Sequence, residues 1–147
     1  MSHKKRGSTA AVLCCALALL LVLAGCGKKQ EEPKEPVPAA TNEQRITFLN
    51  GLGWKVDPEP LETLAMRLPR ELGEEYGDYL KLQDEQGLPF AKCAGQTVSR
   101  YTYKVNNYPG YDGPVQINLW VCDGMLSGGD LIAPGEKGFT AGLTFPR

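Results

Sequence analysis

The sequence predicts a small α+β domain, an antiparallel sheet of about four to five strands packed in two layers against two helices. Three observations predict it. Apolar residues alternate at period two through the C-terminal half, as in Tyr101, Tyr103, Val105 and again in Val115, Ile117, Leu119, Val121. Two segments of the N-terminal half carry apolar residues at helical spacing instead. The foldable stretch, residues 41–147, has the length of one domain with one core.

Residues 1–25 have the parts of a lipoprotein signal peptide: Lys4, Lys5 and Arg6, an apolar run from about Ala10 to Ala24, and a small-residue exit. The run is shorter than the ~20 residues a spanning helix needs. It ends Leu23-Ala24-Gly25-Cys26, which resembles the bacterial lipobox. That resemblance implies cleavage between Gly25 and Cys26 and a diacylglycerol on the Cys26 thiol. Residues 26–40 then read as the lipidated cysteine and a flexible linker, rich in Lys, Glu and Pro with Val37 its one aliphatic residue. Extended at ~3.1 Å per residue, such a spacer reaches roughly 40 Å from the bilayer. The expected location is the extracytoplasmic face of the cell membrane.

Within the domain, Thr41 followed by Gln44 has the capping-box form and starts a helix to about Leu52, with Gly53 as its stop. Leu64, Met66 and Leu68 alternate ahead of Pro69 and suggest a strand. From Arg70 to about Gln86, Leu72, Tyr76, Tyr79 and Leu80 fall at helical spacing, with Glu71, Glu74, Glu75 and Asp78 in the first turns, where the helix dipole favours acids.

Residues 98–106 and 115–122 alternate as strands. If Asn106 opposes Pro114, Tyr101 meets Leu119, Tyr103 meets Ile117, and Arg100 meets Trp120, so faces and register agree. Asp123-Gly124 is a two-residue hairpin turn into a strand from Met125 to Ile132. Gly128-Gly129 predicts a bulge there, because one extruded residue places Leu131, rather than Asp130, opposite Ile117 on the apolar face. Phe139, Ala141, Leu143 and Phe145 alternate as a last strand.

Composition excludes several function classes. Residues 41–147 hold 10 Lys and Arg against 14 Asp and Glu with no basic cluster, which argues against nucleic acid as a partner. The one histidine is His3, inside the signal. The mature chain therefore has no means of Ser-His-Asp or Cys-His catalysis and lacks the usual zinc ligand. The acids fit no metal-ligand spacing, and no cofactor motif occurs. Cys93 and Cys122 form a possible disulfide in an oxidising compartment, although the predicted register does not oppose them directly.

Residues 42–49 (NEQRITFL), 53–60 (GWKVDPEP) and 100–105 (RYTYKV), with Asn107-Tyr108-Pro109-Gly110 and Gly128-Gly129-Asp130, resemble the DUF4830 family of bacterial lipoproteins. The likeness covers most of residues 41–143. It implies a lipoprotein setting and supplies no activity, since that family has no assigned function or catalytic residues.

Alternation turns Trp120 away from Leu119 and Val121, onto the sheet face of Arg100, Thr102 and Asn118. These four residues form a candidate binding patch, an aromatic anchor with a cation and amide donors suited to a peptide or a glycan. Tyr108 and Tyr111 add two rings on the turn-rich loop between the strands. Each feature also has a plainer role, Trp120 covering the glycine bulge and the loop simply closing a wide hairpin. The sequence thus points to a membrane-tethered, non-enzymatic binding module whose partner is an envelope protein, a peptide or a glycan. The alternatives are a histidine-independent carboxylate hydrolase and a structural accessory subunit of an envelope complex.

Overall fold

The chain divides into two units, Met1–Glu31 and Glu32–Arg147. A computed structural model describes residues 34–147, all within the second unit. The expected signal peptide of residues 1–25, its cleavage point and Cys26 lie outside the described residues.

The second unit is α+β, with five antiparallel strands in the order β1-β2-β3-β4-β5 and two α-helices. Helix α1 spans Asn42–Gly51. Its capping box is formed: the Thr41 hydroxyl accepts from the Gln44 N–H at 3.2 Å, and the Gln44 side chain accepts from the Thr41 N–H at 3.1 Å. Gly53, at φ +99°, ends it in a conformation that favours glycine. Strand β1, Glu62–Arg67, is one edge of the sheet. Helix α2, Gly77–Glu85, begins later than helical spacing implied, behind a 3-10 turn at Glu74–Tyr76. Glu71 therefore lies outside the helix, and Asp78 is the acid of its first turn.

Strands β2, Thr97–Lys104, and β3, Gln116–Cys122, adopt the expected register, with Tyr101 against Leu119, Tyr103 against Ile117 and Arg100 against Trp120. Asp123 and Gly124, at φ 49° and 74°, make the primed turn that matches the twist of the strands. In β4, Met125–Ala133, the bulge falls at Ser127, so that Trp120 pairs with Gly128 while Val121 pairs with Leu126. The extruded Ser127 hydroxyl donates to the Trp120 carbonyl at 3.0 Å. Leu131 thereby sits opposite Ile117, as the pattern required. Strand β5 is short, Phe139–Ala141.

Two expectations are corrected. The helices do not share one face of the sheet. Helix α1, with Leu49, and the segment carrying Trp54 cover the face of Tyr103, Ile117, Leu119 and Leu131. Helix α2 and a 3-10 turn at Phe90–Cys93 cover the opposite face, where Leu68, Phe90, Cys93, Val98 and Cys122 form a second core. The sheet is a middle layer of three. The linker also ends before residue 40: Ala39 is buried, its N–H donates to the Gly124 carbonyl at 2.9 Å, and Val37 accepts from the Leu126 N–H at 2.8 Å. This strap docks because Val37 and Ala39 find apolar ground beside β4.

Candidate functional site

The four residues of the predicted sheet-face patch are neighbours, but α2 and the Phe90 turn roof them over. Thr102 and Asn118 are buried, and the Thr102 hydroxyl donates to Asn118 Oδ1 at 2.7 Å. Asn118 Nδ2 donates to Asp130 at 3.0 Å, and the Tyr79 hydroxyl, from α2, donates to the other carboxylate oxygen at 2.8 Å. Trp120 is half-buried and meets the Phe90 ring edge-on with centroids 5.6 Å apart. Arg100 reaches over the indole at 5.7 Å and pairs with Glu62 of β1. The patch is thus an internal polar chain, not an open surface. Its alternation looked solvated because these groups satisfy one another.

Asp130 is the one acidic side chain buried among the described residues. Burial holds its carboxyl above the ordinary carboxylate range, against the opposing pull of the hydrogen bonds from Asn118 and Tyr79 and of the Arg100 charge. Tyr79 is shifted up as well, first by burial and then by the Asp130 charge. Trp120 Nε1 and Arg100 Nε are enclosed without a hydrogen-bond partner, so this cluster keeps donors in excess of acceptors. No group of three or more potential metal ligands occurs among the described residues.

The loop tyrosines are half-buried and belong to an aromatic cluster. Tyr108 stacks on Trp54 at 5.9 Å, and both Tyr108 and Tyr111 pack on Phe139. Trp54 is anchored in turn by its indole N–H, which donates to the Leu143 carbonyl at 2.7 Å. The rings tie the loop to β5 more than they offer it to a ligand. Cys93 and Cys122 are free thiols, buried together in the second core. Burial and the adjoining Cys93 thiol push Cys122 up to about 12.

Residue patterns missed a different feature, a groove of about 800 Å³. One wall is the strap at Pro36 and Val37, another the chain after α2 at Leu88 and Pro89, and the floor is Phe48, Leu126 and Leu143. Lys34, Glu35, Glu85 and Lys92 stand at its rim with both signs of charge. Lys34 fixes the strap by donating to the Gln86 carbonyl at 2.7 Å, its stem lying over Gly87. Volume, apolar lining and a few polar groups at the mouth match what ligand pockets require. The only advance signal was Val37, an aliphatic residue in an otherwise solvated spacer.

No helix among the described residues is long and apolar enough to cross a membrane. No protein-family model, curated protein or solved structure matches the chain.

Proposed function

We propose that the protein is an extracytoplasmic lipoprotein, tethered through diacylglycerol on Cys26, and that its folded unit is a non-enzymatic binding module. Its site is the groove beside the strap, and its ligand is an apolar peptide segment of an envelope protein. The groove carries this reading. Its floor is apolar and its rim has charges of both signs, beside the strap at Pro36 and Val37. A peptide suits it better than a glycan, because the aromatic anchor a sugar would use, Trp120, is packed under Phe90. The tethered setting rests on the lipobox-like run Leu23-Ala24-Gly25-Cys26. A carboxylate hydrolase needs a second acid beside the first, and the side chains hydrogen-bonded to the buried acid Asp130 are Tyr79 and Asn118.

The test is capture from solubilised envelope with the full chain and with Val37→Arg and Leu88→Arg, two half-buried positions on the groove walls. A partner identified by mass spectrometry with the parent chain should be lost with both variants. Undiminished capture by variants that keep their circular dichroism would remove the groove as the site.

A further inference from the structure

Strand β1 differs from every other strand. All six of its residues are exposed, neither helix covers it, and no described residue pairs with its outer edge. It also carries exposed large apolar side chains, Leu64 at 37% and Met66 at 39%, next to Leu61 at 55%. Proteins usually blunt such an edge with lysine, proline, a bulge or a cover. Glu62–Arg67 has none of these, and its charges stand only at the two ends.

Register decides which main-chain groups are free. The Val105 N–H donates to the Val115 carbonyl, so odd-numbered β2 residues bond toward β3 and even-numbered ones toward β1. The Leu68 N–H donates to the Gln96 carbonyl, which gives the same parity on β1. Glu62, Leu64 and Met66 are therefore occupied with β2. The N–H and C=O groups of Thr63, Ala65 and Arg67 point outward, away from β2, and pair with no other described residue.

We propose that this edge pairs antiparallel with the same edge of a second copy, about a twofold axis that passes midway between the two Ala65 residues. A twofold perpendicular to the sheet opposes only residues of equal parity, and the register centred on the strand sets Ala65 against Ala65. Thr63 of one copy then faces Arg67 of the other, and these pairs exchange both main-chain hydrogen bonds. Leu64 of one copy meets Met66 of the other at the closer, non-hydrogen-bonded positions, so all four exposed apolar side chains gather on one face. The strand is complementary to itself, as an isologous contact requires. Two five-stranded sheets become one continuous sheet. A single six-residue strand offers less than the ~800 Å² each partner gives to a standard interface, so association is weak and concentration-dependent.

The test is oxidative cross-linking of the full chain carrying Ala65→Cys, with copper phenanthroline as oxidant. Hydrogen-bonded antiparallel pairs have Cα atoms about 5.5 Å apart, within disulfide reach. Each pair of introduced thiols loses two protons and two electrons to the oxidant as the S–S bond forms. A product of twice the chain mass should appear in excess over the parent chain, rising with protein concentration. Thr63→Cys should give no such excess, because the two Thr63 positions lie four residues out of register, roughly 13 Å apart. Adding Leu64→Glu and Met66→Glu to Ala65→Cys should abolish it, since both side chains are exposed and would face like charges. No excess with Ala65→Cys, equal yields from Thr63→Cys, survival of the product with the glutamates, or linkage to a different polypeptide would each overturn the pairing.

Discussion

Each face of the sheet buries one residue of the Asp, Glu, Lys and Arg class, Arg45 on one and Asp130 on the other, and the two are opposite in sign. On the α1 face Arg45 is buried without a carboxylate: Nε donates to the Tyr103 hydroxyl at 2.8 Å, Nη1 donates to the Ala39 and Ala40 carbonyls, and the guanidinium lies 3.4 Å over the Tyr101 ring. On the α2 face Asp130 sits among donors, two of which bond it and two of which are left without a partner. The difference shows two ways to bury charge. Arg45 is compensated by backbone carbonyl dipoles, a hydroxyl and a ring face. Asp130 is incompletely compensated, and its carboxyl is shifted up.

Removing Arg45 breaks that contrast most severely. Arg45→Ala leaves the Tyr103 hydroxyl short of a donor, frees the strap carbonyls of Ala39 and Ala40, and opens a void. The expected loss is about 3–4 kcal/mol by urea denaturation. Arg45→Met keeps volume and should cost clearly less. Equal losses from the two variants would mean that the hydrogen bonds, not the packing, hold α1 and the strap on the sheet.

The paired glycines of β4 probe the two faces from one point in the chain. A Cβ on Gly128 would lie 2.9 Å from Phe90 on the α2 side, whereas one on Gly129 would lie within 2.4 Å of the end of Leu143 on the α1 side. Both alanine variants should lose stability through overpacking, by about 1–3 kcal/mol. Gly129→Ala is expected to be worse, since the deeper clash involves more than one Leu143 atom. Thermal melts of the two variants check the order.

Asp130 gives the comparison a pH dependence. Its folded-state pKa lies above the unfolded value of 3.8, so between those values the folded chain binds more protons than the unfolded one, and stability falls as pH rises. The contribution is greatest below the unfolded pKa and is lost as pH passes through the folded pKa. Asp130→Asn removes this slope while keeping an acceptor for Tyr79. Urea midpoints measured from pH 4 upward should move in favour of the variant as pH rises, and parallel profiles would show that Asp130 titrates normally.

How much of this was legible in the residues follows from what each pattern encodes. Alternation with a compatible turn fixed the β2-β3 register, and Asp130 set against Ile117 demanded a bulge, which occurs beside the glycines at Ser127. The capping box at Thr41 and Gln44 is a local chemical fit and survived intact. The second covered face was not legible. A strand face bearing Thr102, Asn118 and Asp130 has the same composition whether water or a set of hydrogen bonds satisfies it. Arg45 and Gln83 hid in the same way, as polar residues on the buried sides of their helices. Gln83 also does work no pattern announces. Where β5 ends, its side chain accepts from the Gly129 N–H at 2.8 Å and donates to the Gly129 carbonyl at 3.0 Å, standing in for a strand. The groove shares that opacity, since its walls come from segments far apart in sequence.

The helices that cover the two faces differ at their starts, and this sets the smallest effect. Helix α1 has its capping box, whereas α2 follows Tyr76 with no side-chain cap and opens on Gly77. Gly77 has helical angles, φ −53° and ψ −52°, and a Cβ there would meet nothing within 4 Å. Its lack of a side chain serves no contact, while the unfolded chain gains conformational freedom from it. Gly77→Ala should therefore stabilise the domain by about 0.5–1 kcal/mol, read as a small rise in the urea midpoint. A loss instead would mean that the first turn of α2 needs the freedom of glycine to pass from the 3-10 turn into the helix.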